Sequence, residues 1–505
     1  MHEVATHDSQ FDLVVRGATV LDGSGSPGVT ADVAVRGERI VAVETVVPGH
    51  GTRELDARHL ALAPGFIDVH SHDDFAVILE PDMPFKVLQG VTTDIVGNCG
   101  SGVVPFEAGL RRFRRLHPDA SPQPWAGFAE YMERVEEARP ALNVAVLVGH
   151  GSLRAGAMGL DQRPPSTTEL DRMRGWLREG MQAGAVGLST GLVYEPGRYA
   201  ATEEIVELAR EVEPFGGVYA THMRNEASQL LESVREAIQI GEQAGVGVEI
   251  SHHKASGASN WGRTVDSLSL IDAARGRGLD VNCDQYPYTA GSTSLFAVVQ
   301  NGAFSSGSSG GMGEIPPDGV LVASAPKHPE YEGRTIADLM EAWGQTAAGA
   351  ADRLLDEEGE ALFVVTFTMD EADVRRVMAH PATMIGSDGV PAVGGKPHPR
   401  LWNCFARVLG HYARDQHVLD LATAVHKMTG LPARKFDLRD RGEIRPGAFA
   451  DMVVFDPTRI ADVGTYADPC RSPTGIASVF VRGVEVAHEG ALTGARPGRV
   501  VRRGQ

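Results

Sequence analysis

The sequence predicts an α/β protein built on a TIM-type (β/α)8 barrel, with a small β-sandwich from both chain ends and an insertion after strand seven. Three observations predict this fold class. Apolar strand-like segments alternate with amphipathic segments in the middle of the chain, short strands with turns occupy both ends, and polar residues end the central strands. With 505 residues, 42% of them hydrophobic, the chain can bury a large core.

Both chain ends carry short strand patterns separated by turn signals. We expect residues 1–62 and 440–505 to form one composite β-sandwich domain. The patterns that predict it are Phe11–Arg16, Ala31–Arg36, Arg39–Glu44, a run near Leu60, Asp451–Asp456 and Ala477–Val486.

Residues 63–439 are predicted to form the barrel, because strands and amphipathic helices alternate there as in a parallel sheet with crossover helices. One such helix is indicated by four apolar residues on one face between Leu170 and Met181, preceded by a capping box of Ser166 and Glu169. The eight strand candidates are Gly65–His72, Val91–Cys99, Asn143–His150, Ala185–Thr190, Gly217–His222, Val246–His252, Leu279–Tyr286 and Thr383–Asp388.

An insertion at about residues 291–380 separates strands seven and eight. It is too long for an ordinary βα loop. It begins with Gly291–Val299 and continues into the Gly/Ser-rich run Ser305–Gly311. Two interpretations stay open, a lid or substrate-facing subdomain and a disordered surface insertion.

Charge and segment composition exclude several kinds of partner. Lys and Arg total 47 against 66 Asp and Glu, so the net charge of -19 would repel the phosphate backbone of nucleic acid. No signal-peptide pattern and no apolar run of membrane-spanning length occurs, which predicts a cytoplasmic protein without a membrane partner. Four scattered cysteines without a C-x-x-C pair argue against a disulfide framework. The residues give no indication of oligomeric state.

The first barrel strand ends in two histidines separated by one residue. Side chains alternate across a strand, so His70 and His72 point the same way, roughly 6 to 7 Å apart, with Asp68 on the same face. Two imidazoles at that separation can approach one metal ion or a close pair. A fragment of this kind is more often structural than catalytic, so the residues at the other strand ends decide between these two roles.

Other predicted strands end in Cys99, His222, His252 and Asp388. In a barrel these ends converge, and His, Cys and carboxylate are usual zinc ligands. Each residue alone has an ordinary structural explanation, but their joint placement favours a metal site. At strand six we prefer His252, which continues the phase of Ile250, and expect His253 to be structural.

Metal chemistry then predicts a hydrolytic mechanism. Zinc lowers the pKa of its water to about 7 and polarises a carbonyl oxygen. We expect Asp388 to accept the water's proton, and to return it to the departing amine after attack on an amide carbon. The products would be an acid and an amine.

The chain resembles the N-acyl-D-amino-acid deacylases (D-aminoacylases) of the metal-dependent amidohydrolase superfamily. The resemblance covers nearly the whole chain. The matching stretches are Gly65–Asp74, Gly90–Thr93, Gly97–Gly100, Gly187–Leu192, Thr221–Arg224, Ile250–Lys254, Tyr286–Thr293, Gly386–Gly389 and His398–Arg400.

This resemblance implies zinc-dependent hydrolysis of the linear amide of N-acyl-D-amino acids, with a small-molecule substrate as partner. It implies one tight Zn²⁺ site, with a second and weaker site possible beside it, and Asp388 as the catalytic acid and base. His150 also fits the family pattern, without an assigned role. The implied ligands are Cys99, His222 and His252 for the tight site and His70 and His72 for the weaker one, and the implied substrate-binding residues are Arg400, Tyr286 and Ser292.

Two alternatives stay open. A cyclic amidase such as a hydantoinase or dihydroorotase resembles this chain at His-x-His, but those enzymes typically bridge two metals with a modified lysine on strand four. Here that strand reads Ala185–Thr190 and contains no lysine. A catalytically inactive scaffold would not need the whole constellation. After Arg400, the stretch Leu401–Ala406 departs from the family pattern, which leaves the acyl or side-chain pocket open.

Overall fold

A computed structural model describes residues 10–115, 117, 119–305, 307–391 and 394–504 of the chain. Five N-terminal strands begin the fold. Along the first of them, Leu13 and Val15 belong to one buried apolar core of the sheet, and Val14 between them belongs to another. The strands are β1 (Phe11–Val20), β2 (Val29–Arg36), β3 (Arg39–Glu44), β4 (Gly51–Asp56) and β5 (Ala61–Pro64).

Seven parallel strands then form most of a barrel. Their residues are buried almost throughout, as expected for strands covered by helices on the outside and by packed side chains inside. The strands are β6 (Phe66–Asp68), β7 (Val91–Val96), β8 (Asn143–Gly149), β9 (Gly187–Gly191), β10 (Val218–His222), β11 (Gly247–Ile250) and β12 (Val281–Gln285).

The insertion after strand seven is folded in its described part. Strands β13 (Ala290–Ser294), β14 (Val320–Ser324) and β15 (Phe363–Phe367) form an antiparallel sheet in the order β13-β15-β14. The strands and helices of the insertion share a separate apolar core, to which Val193 from the loop after β9 also belongs. The insertion therefore packs against the barrel mouth, and the interpretation as a disordered surface segment does not hold for these residues.

Strand β16 (Thr383–Ile385) completes the eight barrel strands, whose order is β6-β7-β8-β9-β10-β11-β12-β16. Closure between β16 and β6 occurs beyond the strand ends, where Ser71 pairs with Gly389. The Asp388 N–H donates to the His70 carbonyl at 2.8 Å, and the His72 N–H donates to the Gly389 carbonyl at 3.1 Å. The predicted TIM-type fold class is confirmed.

Four C-terminal strands return to the N-terminal sheet and give it nine strands. They are β17 (Met452–Phe455), β18 (Ile476–Val481), β19 (Val484–His488) and β20 (Ala491–Leu492). Strand β17 pairs antiparallel with β5, so both chain ends share one sheet. Val453 and Phe455 face the barrel core, while Met452 and Val454 face a second core inside the curled sheet. The domain boundaries at 62 and 440 stay a prediction.

Helices cover the outside of the barrel and the insertion. The predicted capping box is present, because the Ser166 hydroxyl accepts the Glu169 N–H while the Glu169 carboxylate accepts the Ser166 N–H. The helices are α1 (Ala76–Leu79), α2 (Pro84–Val87), α3 (Phe106–Phe113), α4 (Phe128–Ala138), α5 (His150–Met158), α6 (Thr167–Ala183), α7 (Thr202–Ala209), α8 (Leu230–Ala244), α9 (Thr264–Gly276), α10 (Leu295–Gln300), α11 (Ile336–Trp343), α12 (Ala347–Glu358), α13 (Glu371–Ala379), α14 (Arg400–Arg407), α15 (Leu421–Met428) and α16 (Gly430–Lys435).

Several strands end earlier than the sequence predicts. Cys99, His252 and Asp388 have φ values of +52°, +35° and +48°, in the left-handed region that a strand does not adopt. The regular ladder therefore stops before each of them, and these residues belong to turns at the barrel mouth.

Within the described residues, no helix is long and apolar enough to cross a membrane. The cytoplasmic location and the exclusion of nucleic acid stay predictions.

Candidate metal centre

Six residues that the sequence analysis placed at strand ends lie together at the mouth of the barrel. Each strand carries its side chain to the same edge, because the carboxyl ends of parallel strands meet there. The residues are His70 and His72 after β6, Cys99 after β7, His222 at the end of β10, His252 after β11 and Asp388 after β16.

The Cys99 sulfur lies among three imidazoles. Its Sγ is 3.2 Å from His70 Nε2, 3.5 Å from His252 Nε2 and 3.9 Å from His222 Nδ1. Burial raises the pKa of the Cys99 thiol, but the neighbouring His70 and His252 outweigh it, so that the pKa lies well below its usual value. The surrounding histidines therefore favour the thiolate form of Cys99, which is the form that binds metal.

Asp388 faces the two histidines of the first strand. Its Oδ1 is 3.1 Å from His72 Nε2 and 3.5 Å from His70 Nε2, while its Oδ2 accepts a 2.8 Å ion pair from Arg400. Burial alone raises the pKa of Asp388, but Arg400 and His70 outweigh it and hold the pKa well below its usual range. Asp388 is therefore a carboxylate, as a proton acceptor must be.

The donor set fits zinc. With zinc–sulfur and zinc–nitrogen bonds of about 2.3 and 2.0 Å in a tetrahedral site, sulfur and nitrogen ligands lie about 3.5 Å apart. The separation from Cys99 Sγ to His252 Nε2 is 3.5 Å and agrees with that value, and the separation to His222 Nδ1 is 3.9 Å and is slightly longer. A second set, His70, His72 and Asp388, has ligand atoms that all lie within 4.8 Å of one another. The assignment of each ligand to a tight or a weak site stays a prediction.

Three buried residues that the sequence analysis missed contact the histidines of the cluster. Asp284 on β12 lies 3.0 Å from His70 Nδ1 through Oδ2, and its Oδ1 accepts the His252 backbone N–H at 2.9 Å. Carboxylates in this position fix the ring orientation and tautomer of a metal-binding histidine. The sequence signal for Asp284 was a charged residue within a strand that is otherwise uncharged.

Glu226 and Lys254 are the other two. Glu226 Oε1 lies 3.0 Å from His252 Nδ1, and its Oε2 lies 3.7 Å from His222 Nε2. Lys254 donates to Glu226 at 2.7 Å. Burial raises the pKa of Glu226, but Lys254 and both histidines outweigh it, so the pKa is lowered. Glu226 comes from an irregular loop, so no periodicity could have indicated it.

A cavity of about 190 Å³ opens beside the cluster. His72, Cys99, Asp388, Tyr286 and Ser292 line it, together with residues of the insertion. The insertion thus forms one wall of the cavity. His150 is not among the lining residues; it is buried and lies 2.9 Å from Glu204.

Arg400 lies behind this cavity, at the start of α14. It is 1% exposed, its Cζ lies 4.3 Å from the centre of the Tyr286 ring, and it lines a smaller adjoining cavity with Ser292. Its Nε and Nη1 have no hydrogen-bond partner among the described residues. These buried donors require an acceptor.

The departure from the family pattern after Arg400 lies in the core. Leu401, Cys404 and Phe405 are buried, and Phe405 stacks on Phe66 with ring centres 5.6 Å apart. None of the three lines the cavity. These side chains therefore contribute to the packing of α14 and not to the cavity wall.

Comparison with known proteins identifies the family. The model of the Amidohydrolase family matches residues 53–281 and 338–487. A D-aminoacylase of Alcaligenes xylosoxydans xylosoxydans is 41% identical, over 98% of this chain and 99% of its own. The chain belongs to the D-aminoacylase family of amidohydrolases. The resemblance inferred from the sequence motifs is confirmed.

Other members of this family differ in their amino-acid substrate. An N-acyl-D-glutamate deacylase of the same organism is 40% identical, over 98% of this chain and 97% of its own. The solved structure of an N-acyl-D-glutamate deacylase from Bordetella bronchiseptica, complexed with zinc and a phosphonate inhibitor, covers 97% of this chain and 99% of its own. Its TM-score is 0.87 at 38% identity.

Proposed function

We propose that this protein hydrolyses the linear amide bond of N-acyl-D-amino acids in a zinc-dependent reaction, releasing a carboxylate and a free D-amino acid. The observation that carries the proposal is the Cys99 sulfur among three imidazoles, with the Asp388 carboxyl group beside them at the barrel mouth. Family members that act on N-acyl-D-amino acids support it.

Cys99, His222 and His252 would hold the tight zinc ion, and His70 and His72 would contribute to a second, weaker position. A bound zinc ion would polarise the amide carbonyl and make water a stronger nucleophile. Asp284 and Glu226 keep the imidazole rings oriented toward the cluster centre.

Asp388 performs the proton transfers. Its Oδ1 faces the histidine pair, so this oxygen is placed to accept a proton from the attacking water. The same carboxyl group then gives the proton to the nitrogen of the departing amine, which turns a poor leaving group into a neutral one. The carboxylate is thereby restored for the next turnover.

Arg400, Tyr286 and Ser292 would bind the carboxylate of the amino acid. The buried Nε and Nη1 of Arg400 have no partner in the described chain, and a guanidinium N–H donates a strong, charge-assisted hydrogen bond to a carboxylate. Tyr286 holds the guanidinium by its ring face. This contact would orient the scissile amide toward the cluster.

The proposal is tested by incubating zinc-loaded protein with matched N-acetyl-D-amino and N-acetyl-L-amino acids, together with hydantoins, and measuring released amine and opened ring. We expect amine from the D-substrates alone. Release from the L-substrates alone would overturn the stereochemical assignment. Ring opening without release from any linear amide would instead identify a cyclic amidase.

A further inference from the structure

A cluster of four buried ionisable side chains adjoins the metal centre without taking part in the proposed reaction. Lys86 on α2 contacts Asp68 at the end of β6, and its Nζ lies 3.1 Å from Asp73 and 3.7 Å from Asp94. All four side chains have no exposed surface. Burial lowers the pKa of Lys86, but the three carboxyl groups outweigh it and raise the pKa, so the ammonium group stays charged.

The cluster reaches the turn that carries the catalytic carboxylate. Lys86 Nζ donates to the Ser387 hydroxyl at 3.0 Å, and the Ser387 oxygen accepts the Gly389 N–H at 3.0 Å. Asp68 Oδ1 accepts the backbone N–H of Ser387 at 2.8 Å. The residues on both sides of Asp388 are therefore tied, through Ser387, to the same buried ammonium and carboxylate.

Asp388 needs such an anchor, because its backbone is strained. Its φ of +48° lies in the left-handed region, which a residue other than glycine adopts only where its surroundings hold it. The Asp388 N–H bonds to the His70 carbonyl at 2.8 Å, and Asp68 Oδ1 also accepts the His70 N–H at 3.2 Å. Asp68 thus contacts both the histidine segment and the catalytic turn.

We propose that Lys86 is a positioning residue, which acts through Asp68 and Ser387 to hold the Asp388 carboxyl group beside His72. Asp68 lies on the face of β6 that the sequence analysis assigned to metal binding, yet its carboxylate is turned to Lys86. The effect expected on kcat rests on the proposed function, whereas the effect expected on the position of the Asp388 carboxyl group does not.

The first test compares two small changes. Ser387→Ala removes the hydroxyl through which Lys86 reaches the turn and leaves the four ionisable side chains in place. Asp94→Asn is the matched control, because it alters the same cluster at the carboxylate farthest from Lys86 without touching the turn. We expect Ser387→Ala to lower kcat at least tenfold with KM and zinc content within twofold of wild type, and Asp94→Asn to keep kcat within twofold.

Crystal structures of both variants give a readout independent of activity. In Ser387→Ala we expect the 3.1 Å contact between Asp388 Oδ1 and His72 Nε2 to be lost, while Asp94→Asn keeps it. If wild type hydrolyses none of the substrates, the proposed function fails, and this geometric comparison still decides the role of Lys86. An unmoved Asp388 in Ser387→Ala would overturn the proposal.

A double-mutant cycle separates positioning from general stability. Lys86→Met should lower kcat at least as much as Ser387→Ala, and the double variant should lose no more than Lys86→Met alone. Additive losses in kcat would contradict the proposal, as would equal kcat losses in Ser387→Ala and Asp94→Asn. If Lys86→Met does not fold, the comparison of Ser387→Ala with Asp94→Asn alone decides whether Lys86 is a positioning residue.

Discussion

At the residue scale, three site residues share an unusual backbone. Cys99, His252 and Asp388 all have positive φ angles, although none is glycine. Such conformations cost about 1–3 kcal/mol each and persist where the surrounding structure fixes them. Here the left-handed residues follow β7, β11 and β16, where a turn aims the side chain at a common centre instead of along the sheet.

The role of Asp388 is tested by Asp388→Asn. The amide keeps the size of the side chain but cannot accept the proton, so we expect kcat to fall by about 10²- to 10⁴-fold or more. Zinc content, measured by elemental analysis, should stay unchanged, because Cys99, His222 and His252 remain. Activity near the wild-type level would remove Asp388 from the proposed proton transfer.

At the element scale, sequence pattern decided most of the barrel. The eight predicted strands all occur, since their apolar runs are buried on both faces. Helix α6 begins where its capping box predicts. The predicted strands were too long, because they were extended through Gly97–Asn98 and Gly386–Ser387 to reach Cys99 and Asp388, although the apolar runs end before these pairs. The left-handed backbone of Cys99 and Asp388 leaves no mark in a hydrophobic pattern.

The capping box gives a prediction for α6. Ser166→Ala removes the acceptor of the Glu169 N–H, so we expect the free energy of unfolding to fall by about 1 kcal/mol, with kcat unchanged. Urea denaturation followed by circular dichroism measures it. Ser269→Ala, an exposed serine inside α9, is the control and should not destabilise, since alanine favours a helix interior. Equal losses in both variants would contradict a capping role.

At the scale of the whole molecule, the barrel and the insertion have separate apolar cores. The barrel core continues into the terminal sheet through Val453 and Phe455, and the insertion has its own core next to the loop that carries Tyr194. The Tyr194 ring lies 4.8 Å from the His222 ring. The cavity wall therefore depends on the packing of the insertion as well as on the barrel.

The stability of the whole protein should depend on pH through His253. Burial lowers the pKa of His253 to about 4, against about 6.5 in an unfolded chain. The unfolded state binds more protons between these values, so the free energy of unfolding falls as pH drops from about 6.5 to 4, by up to about 3 kcal/mol.

Comparison of zinc-loaded wild type and His253→Gln by urea denaturation at several pH values tests this. In His253→Gln, the free energy of unfolding should lack this part of its decrease at low pH. His50→Gln, at an exposed site, should show the same decrease as wild type. Identical pH profiles for wild type and His253→Gln would show that His253 does not titrate on unfolding. His253 lies 2.8 Å from the Ser267 hydroxyl on α9, consistent with the structural role expected from the sequence.

The sequence by itself determined the barrel, the sharing of one sheet by both chain ends and the residues that meet at the mouth. Those features follow from hydrophobic period and from the placement of His, Cys and Asp after apolar strands, which are local properties of the chain.

Only the tertiary structure decided which buried groups support the residues at the barrel mouth. Lys86, Asp284 and Glu226 come from different elements, and their partners lie far away along the chain. Asp68 is the clearest example. Strand alternation places it on the same face as His70, but it does not predict that Lys86 forms an ion pair with it. Contacts between distant segments leave no periodic signal, since they are fixed by how whole elements pack.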